Sequence, residues 1–222
     1  MASRRDDPFR YPKYRLARRI KPPVYVRYHS FKPHLRLEFE QKCVYCRRPD
    51  SVHPNDVQGF AVEHHRPKRR FPERECDYTN LFYACASCNS YKGEYWPEDE
   101  GEPFFPNPCD HVMVEHVCFV DGHVDARSVH GAFMVEALQL DDDDLVGWRR
   151  AHIFMIRVLE QEVANLQRLG KKLRKRVAQS GGTIDASDEL TAIDDQVAQH
   201  LHSLNCYCGT TLGVGDAAAT RG

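Results

Sequence analysis

The chain has no run of about 18 apolar residues, so nothing in it reads as a membrane-spanning helix. The arginines near its start are followed by no apolar stretch, which argues against a secretory signal, and a cytoplasmic protein without membrane contact is expected. Internal repeats are absent, which argues against solenoid and propeller architectures. Net charge is nearly absent as well, since 31 Lys and Arg stand against 32 Asp and Glu. Wholesale disorder is excluded by the 41% of apolar residues, which in 222 residues suffice for at least one packed core.

The balanced total hides a segregation. Arg4 to Arg36 is densely basic and relieved only by Asp6 and Asp7, and a second basic cluster comprises Arg66, Lys68, Arg69 and Arg70. Acidic residues collect at Glu98 to Glu102, Asp141 to Asp144 and Asp185 to Asp195. Such asymmetry suits contact between the N-terminal half and a phosphate backbone, although a solvated leader is expected for Met1 to Tyr11.

Nine cysteines, an odd count, fit metal thiolates in a reducing compartment better than a disulfide framework. Cys43-Val-Tyr-Cys46 and Cys85-Ala-Ser-Cys88 are two Cys-x-x-Cys turns, each able to present two sulfurs to one tetrahedral Zn²⁺. The gap between them exceeds a zinc-ribbon spacing, so a hairpin is expected inside a zinc-closed frame. Cys206-x-Cys208, beside His200 and His202, is a poor second site because sulfurs one residue apart rarely share a structural zinc. Cys76, Cys109 and Cys118 read as small buried residues, and Phe71, Tyr91 and Trp96 as core around the hairpin.

The expected elements are a short strand over 22–28, a helical turn over 35–41, a strand from Phe60 ending at Glu63, a returning strand from Asp77 to Tyr83, and a short helix from Ser87 to Tyr95. A β-hairpin turning at Asp121-Gly122 follows. Apolar residues from Leu145 to Leu173 recur at helical spacing, Gly181-Gly182 breaks that pattern, and a second helix capped by Asp185 or Ser187 completes a helical hairpin. Within the frame, Glu63-His64 places a carboxylate beside an imidazole at a strand end, a pair that can divide metal holding and water deprotonation.

Together, Cys43 to Cys46, Glu63-His64-His65-Arg66-Pro67-Lys68, Asn80-Leu81 and Cys85-Ala-Ser-Cys-Asn-Ser-Tyr-Lys92 resemble the HNH endonuclease family over roughly Lys42 to Pro97. The resemblance implies an α+β fold: a small zinc-stabilised ββα-metal core with a C-terminal helical hairpin. The organisation is then 1–34 basic leader and short strand, 35–105 nuclease core, 106–140 hairpin and connector, 141–208 helical hairpin, and 209–222 flexible tail. It implies structural Zn²⁺ on Cys43, Cys46, Cys85 and Cys88, and catalytic Mg²⁺ or Mn²⁺ on Glu63 and Asn89. His64 is then the general base and Asn80 the brace of its loop, with Arg66, Lys68, Arg69, Arg70 and Lys92 as nucleic-acid contacts.

Glu63 departs from the aspartate of many members. A regular strand would put Glu63 and His65 on one face, whereas the spacing to Pro67 selects His64 and requires the strand to end there. The implied activity is phosphodiester hydrolysis of nucleic acid, DNA foremost, and the resemblance extends to bacterial restriction or anti-phage effectors. A protein partner or a second copy would dock on the C-terminal helices. The alternative is an inactive zinc-stapled nucleic-acid-binding or adaptor module.

Overall fold

In the computed structural model, which describes residues 8–209, the two apolar runs around the Glu-His segment pair as an antiparallel hairpin. Strand β1 (Phe60–His64) places Phe60 opposite Cys85 and His64 opposite Leu81 on strand β2 (Leu81–Cys85). Every residue of β2 is buried, as a strand covered on both faces requires. Helix α2 (Ala86–Lys92) follows without a linker and ends at Gly93, whose φ of 53° a glycine adopts without strain. The return strand starts later than expected because Asp77 accepts a hydrogen bond from the Thr79 N–H and draws Tyr78–Asn80 into a 3-10 turn.

Ahead of the hairpin, helix α1 (Lys32–Glu38) begins on Pro33 and stops where Glu40 and Gln41 take positive φ. The strand expected over 22–28 does not form: the chain runs without regular structure to a 3-10 turn at Tyr28–Phe31. Val24 and Val26 are 98% and 93% exposed, so their alternation has no sheet to pack on, and the two prolines lack ladder donors.

The solvated leader is also corrected where it can be seen. Phe9 and Tyr11 are buried, and the Tyr11 hydroxyl donates to the carbonyls of Val44 (2.5 Å) and Tyr45 (2.8 Å), between the first two cysteines. The Arg18 guanidinium lies about 5 Å from the rings of Phe39 and Phe82 and donates to the Leu81 carbonyl. Tyr11→Phe is expected to cost about 1–3 kcal/mol by leaving buried carbonyls unmet, measured by urea unfolding.

After the core, β3 (Val117–Val120) and β4 (His123–Ala126) form the second hairpin. Asp121 and Gly122 have φ of 50° and 85°, the double positive value of the tightest hairpin turns. Helix α3 (Val129–Ala137), inside the segment expected to be a connector, has no one-sided apolar stripe to announce it. It is started by Ser128, which caps the Gly131 N–H, and a Cβ at Gly131 would lie 1.8 Å from the His116 carbonyl oxygen.

Helix α4 (Asp143–Gln179) begins in the unit that runs to Arg150, where the buried Arg149 donates to the carbonyls of Gly122 and Leu140. The other compact unit starts at Ala151. There α5 (Ser187–Cys208) returns along α4, with Leu204 and Cys208 against Ile156 and Val163 and with Arg174 paired to Asp194 at 2.6 Å. Asp185 accepts from the Ser187 N–H at the start of α5. The architecture is α+β, and among the described residues no helix is long and apolar enough to cross a membrane. Residues 1–7 of the leader and 210–222 of the expected flexible tail lie outside the described residues.

Candidate metal centre and active site

The four sulfurs of Cys43, Cys46, Cys85 and Cys88 lie within 4.8 Å of one another, and all four residues are buried. Cys46 Sγ and Cys85 Sγ are 3.8 Å apart. That equals the edge, about 3.8 Å, of a tetrahedron with 2.3 Å metal–sulfur bonds, so the cluster can hold a zinc ion. Local structure explains the convergence. Cys43 N–H donates to the Arg48 carbonyl, Arg47 N–H donates back to the Cys43 carbonyl, and Val44 N–H ties this turn to Tyr83 on β2. Asp50, fully buried, receives Arg36 at 2.5 Å and the Tyr83 hydroxyl at 2.8 Å, fixing the loop behind the turn. Burial pushes the Cys43 thiol up, while hydrogen bonding from Cys43, Cys85 and Cys88 pulls the Cys46 thiol down. A cation at the centre would stabilise all four as thiolates.

One strand position beyond the core, Glu63 is 2% exposed and points inward. Its Oε1 lies 2.7 Å from Lys92 Nζ, and its Oε2 accepts from the Tyr45 hydroxyl at 2.8 Å. Lys92 also donates to the His64 carbonyl at 3.0 Å. Lys92 is therefore no surface phosphate contact, which corrects the expectation. It lies four residues after Cys88, and that spacing puts both on the inner face of α2. Removing the ammonium leaves a buried carboxylate unpaired. Lys92→Met is accordingly expected to destabilise the protein by about 3–5 kcal/mol, read by chemical denaturation at constant zinc content.

His64 is the last residue of β1, as the spacing argument required. Its Nε2 lies 3.0 Å from the Glu75 carbonyl oxygen. A carbonyl only accepts, so Nε2 carries the proton and Nδ1 keeps a lone pair. The Tyr28 ring stands edge-on 4.7 Å from the imidazole. Burial lowers the pKa of His64, which favours its neutral form. His65 differs: its Nε2 contacts the Phe105 carbonyl at 2.9 Å, and its ring packs against Phe82 and Trp96.

Asn80 is 2% exposed and closes the loop between the strands. Its side chain accepts from the Arg66 N–H (2.8 Å) and donates to the carbonyls of Arg66 (3.0 Å) and Arg74 (3.3 Å), while its carbonyl accepts from the His65 N–H. Arg74 directly precedes Glu75, the acceptor of His64. Asn89, half-buried, forms no side-chain hydrogen bond among the described residues and sits three positions before Lys92 on α2.

The remaining basic candidates surround this loop. Arg69 is 77% exposed and pairs with Glu94, Arg70 donates to the Trp96 carbonyl, and Lys68 reaches the Tyr28 hydroxyl. Such exposed pairs contribute little to stability. Arg66 stacks over Trp96 at 4.9 Å. Tyr91 is exposed, contrary to its expected place in the core, and Cys76, Cys109 and Cys118 are only partly buried. The sequence motifs did not identify Tyr28, Tyr45 or Glu75. For Tyr45, its place between two cysteines was the available signal.

Residues 43–94 match the family model described as HNH endonuclease. A protein named Septu protein PtuB, from Bacillus thuringiensis, is 27% identical over 126 residues, which cover 54% of this chain and 46% of that protein. The chain thus spans about half the length of the curated relative it matches. No solved structure matches it. The matched stretch begins at the first cysteine of the sulfur cluster and ends just beyond α2, so across residues 43–94 this chain carries an HNH endonuclease domain.

Proposed function

We propose that the protein is a metal-dependent endonuclease that hydrolyses phosphodiester bonds of nucleic acid, with DNA the first substrate to test. The observation that carries the reading is the 3.0 Å contact between His64 Nε2 and the Glu75 carbonyl oxygen. The Nε2–H is held by a backbone carbonyl on the loop that Asn80 ties together, so Nδ1 is the group able to take a proton. In this reading Nδ1 accepts the proton of an attacking water, Glu75 and Asn80 keep the ring in place, and Tyr28 limits solvent around it. Zn²⁺ on Cys43, Cys46, Cys85 and Cys88 closes the frame.

The donor set fits a hard divalent ion. Glu63 accepts one bond at each oxygen and keeps further lone pairs, and the Asn89 amide oxygen is uncommitted. Glu63 and Asn89 would hold Mg²⁺ or Mn²⁺, which when bound supplies Lewis-acid stabilisation of charge on the scissile phosphate and leaving oxygen. Arg69, Arg70, Lys68 and Arg66 give sequence-independent affinity for the backbone.

The name of the Bacillus thuringiensis relative supports a role in anti-phage defence and, with it, a protein partner. Phe154, Val158 and Leu169, exposed on α4, suit such a partner or a second copy. The Lys92–Glu63 pair favours one other reading, an inactive nucleic-acid-binding adaptor, because an ammonium already neutralises the proposed metal ligand. Incubating the zinc-loaded protein with plasmid and with RNA in Mn²⁺, Mg²⁺ or no divalent ion separates the two. Cleavage that depends on the added ion supports the nuclease. Binding without cleavage under every condition supports the adaptor.

A further inference from the structure

Behind the His64 loop, on the side that His65 faces, lies a cavity of about 620 Å³. Its size falls within the ~300–1,000 Å³ of small-ligand sites. Three separate segments build it: the leader through Arg18, the loop through Arg66 and Asn80, and the stretch after α2 through Trp96, Phe104 and His111. The lining combines planar rings with guanidinium groups. Arg18 is the most telling member, because its Nη2 is committed to the Leu81 and Thr79 carbonyls and its guanidinium lies over the rings of Phe39, Tyr78 and Phe82, which fixes its place in the wall. Two guanidinium groups, Arg18 and Arg66, in a wall that also carries aromatic rings suit an anion attached to a planar group.

The cavity shares a wall with the loop that follows the proposed base. His65 lines it while His64, the next residue, points to Glu75, and Arg66 and Asn80 belong both to the cavity wall and to the brace of the His64 loop.

We propose that this cavity takes one unstacked nucleotide of the substrate, its base against Trp96 and Phe104 and its phosphate near Arg18 and Arg66. The inference rests on the nuclease reading and extends it to substrate class: single strands, or duplexes with an unpaired nucleotide, are bound in preference to continuous duplex. A paired base cannot reach the pocket without leaving the stack, and an unpaired one is spared that cost. Base–aromatic contact makes the difference large and tolerant of sequence.

The test uses the full chain carrying His64→Ala, zinc-loaded, without added divalent ion. Fluorescence anisotropy compares a labelled 12-nucleotide strand, its perfect duplex, and the same duplex with one bulged nucleotide. The single strand and the bulged duplex are expected to bind about tenfold or more tighter than the perfect duplex, and Trp96→Leu is expected to remove about 5- to 150-fold of that preference. Equal binding of bulged and perfect duplex, or a preference unchanged by Trp96→Leu, overturns the proposal. Should Trp96→Leu lose zinc or fold, competition on the parent protein decides. Free nucleoside monophosphate is expected to displace the bulged duplex, and failure to displace it overturns the proposal. Cleavage of plasmid by the unsubstituted protein is scored separately: cutting without the bulge preference retains the nuclease reading and removes the pocket, and the reverse removes the nuclease reading alone.

Discussion

Cys88→Ser and Cys43→Ser proteins are expected to bind less than one zinc per chain and to lose cooperative thermal unfolding of the unit that contains them. The physical reason is the position of the sulfur cluster. It joins the turn after α1, the end of β2 and the first turn of α2, three elements whose other links are short. A structural zinc of this type contributes on the order of 10–16 kcal/mol of apparent binding energy. That is comparable with or larger than the roughly 5–15 kcal/mol by which a whole domain is stable. Serine supplies a poorer ligand and leaves three buried thiols without a cation. Zinc content by a colorimetric thiol-release assay and melting by near-UV circular dichroism measure the outcome. Variants that melt as the parent does, with zinc absent, would show that the frame holds without the ion.

Much of this centre was legible before any coordinates. Two Cys-x-x-Cys turns announced a four-sulfur cluster, and the structure brings those four sulfurs together. The ββα order around Glu63-His64 was readable too, because β1 and β2 are apolar runs flanking a proline-interrupted loop. The less legible parts share a cause: they depend on which way a polar side chain turns. Lysine is seldom buried, so Lys92 reads as a phosphate contact, yet its spacing from Cys88 places it on the covered face of α2. Glu75 matters through its carbonyl, which no side-chain pattern reveals.

The leader shows the opposite error. Its arginines suggested solvation, but Phe9 and Tyr11 among them are buried anchors, and Arg18 is held among aromatic rings. Charge density masked two aromatic residues at a spacing of two. Helix α3 was missed because Ser128 and Gly131 create it locally, through a cap and a close backbone approach, without an apolar stripe.

The proposed reading gives two adjacent histidines different roles. Both rings turn Nε2 to a backbone carbonyl, His64 to Glu75 and His65 to Phe105, but the His65 ring is the more deeply buried and packs between Phe82 and Trp96. A general base contributes about 10²–10⁴-fold to a hydrolytic rate, while a packing residue acts through stability and position. The decisive measurement is therefore the single-turnover cleavage rate of a labelled nucleic acid in Mn²⁺ for the parent, His64→Ala and His65→Ala proteins at matched zinc content. The account predicts a fall of about 10²–10⁴-fold for His64→Ala and less than about tenfold for His65→Ala. Undiminished cleavage by His64→Ala, with His65→Ala inactive, would contradict it.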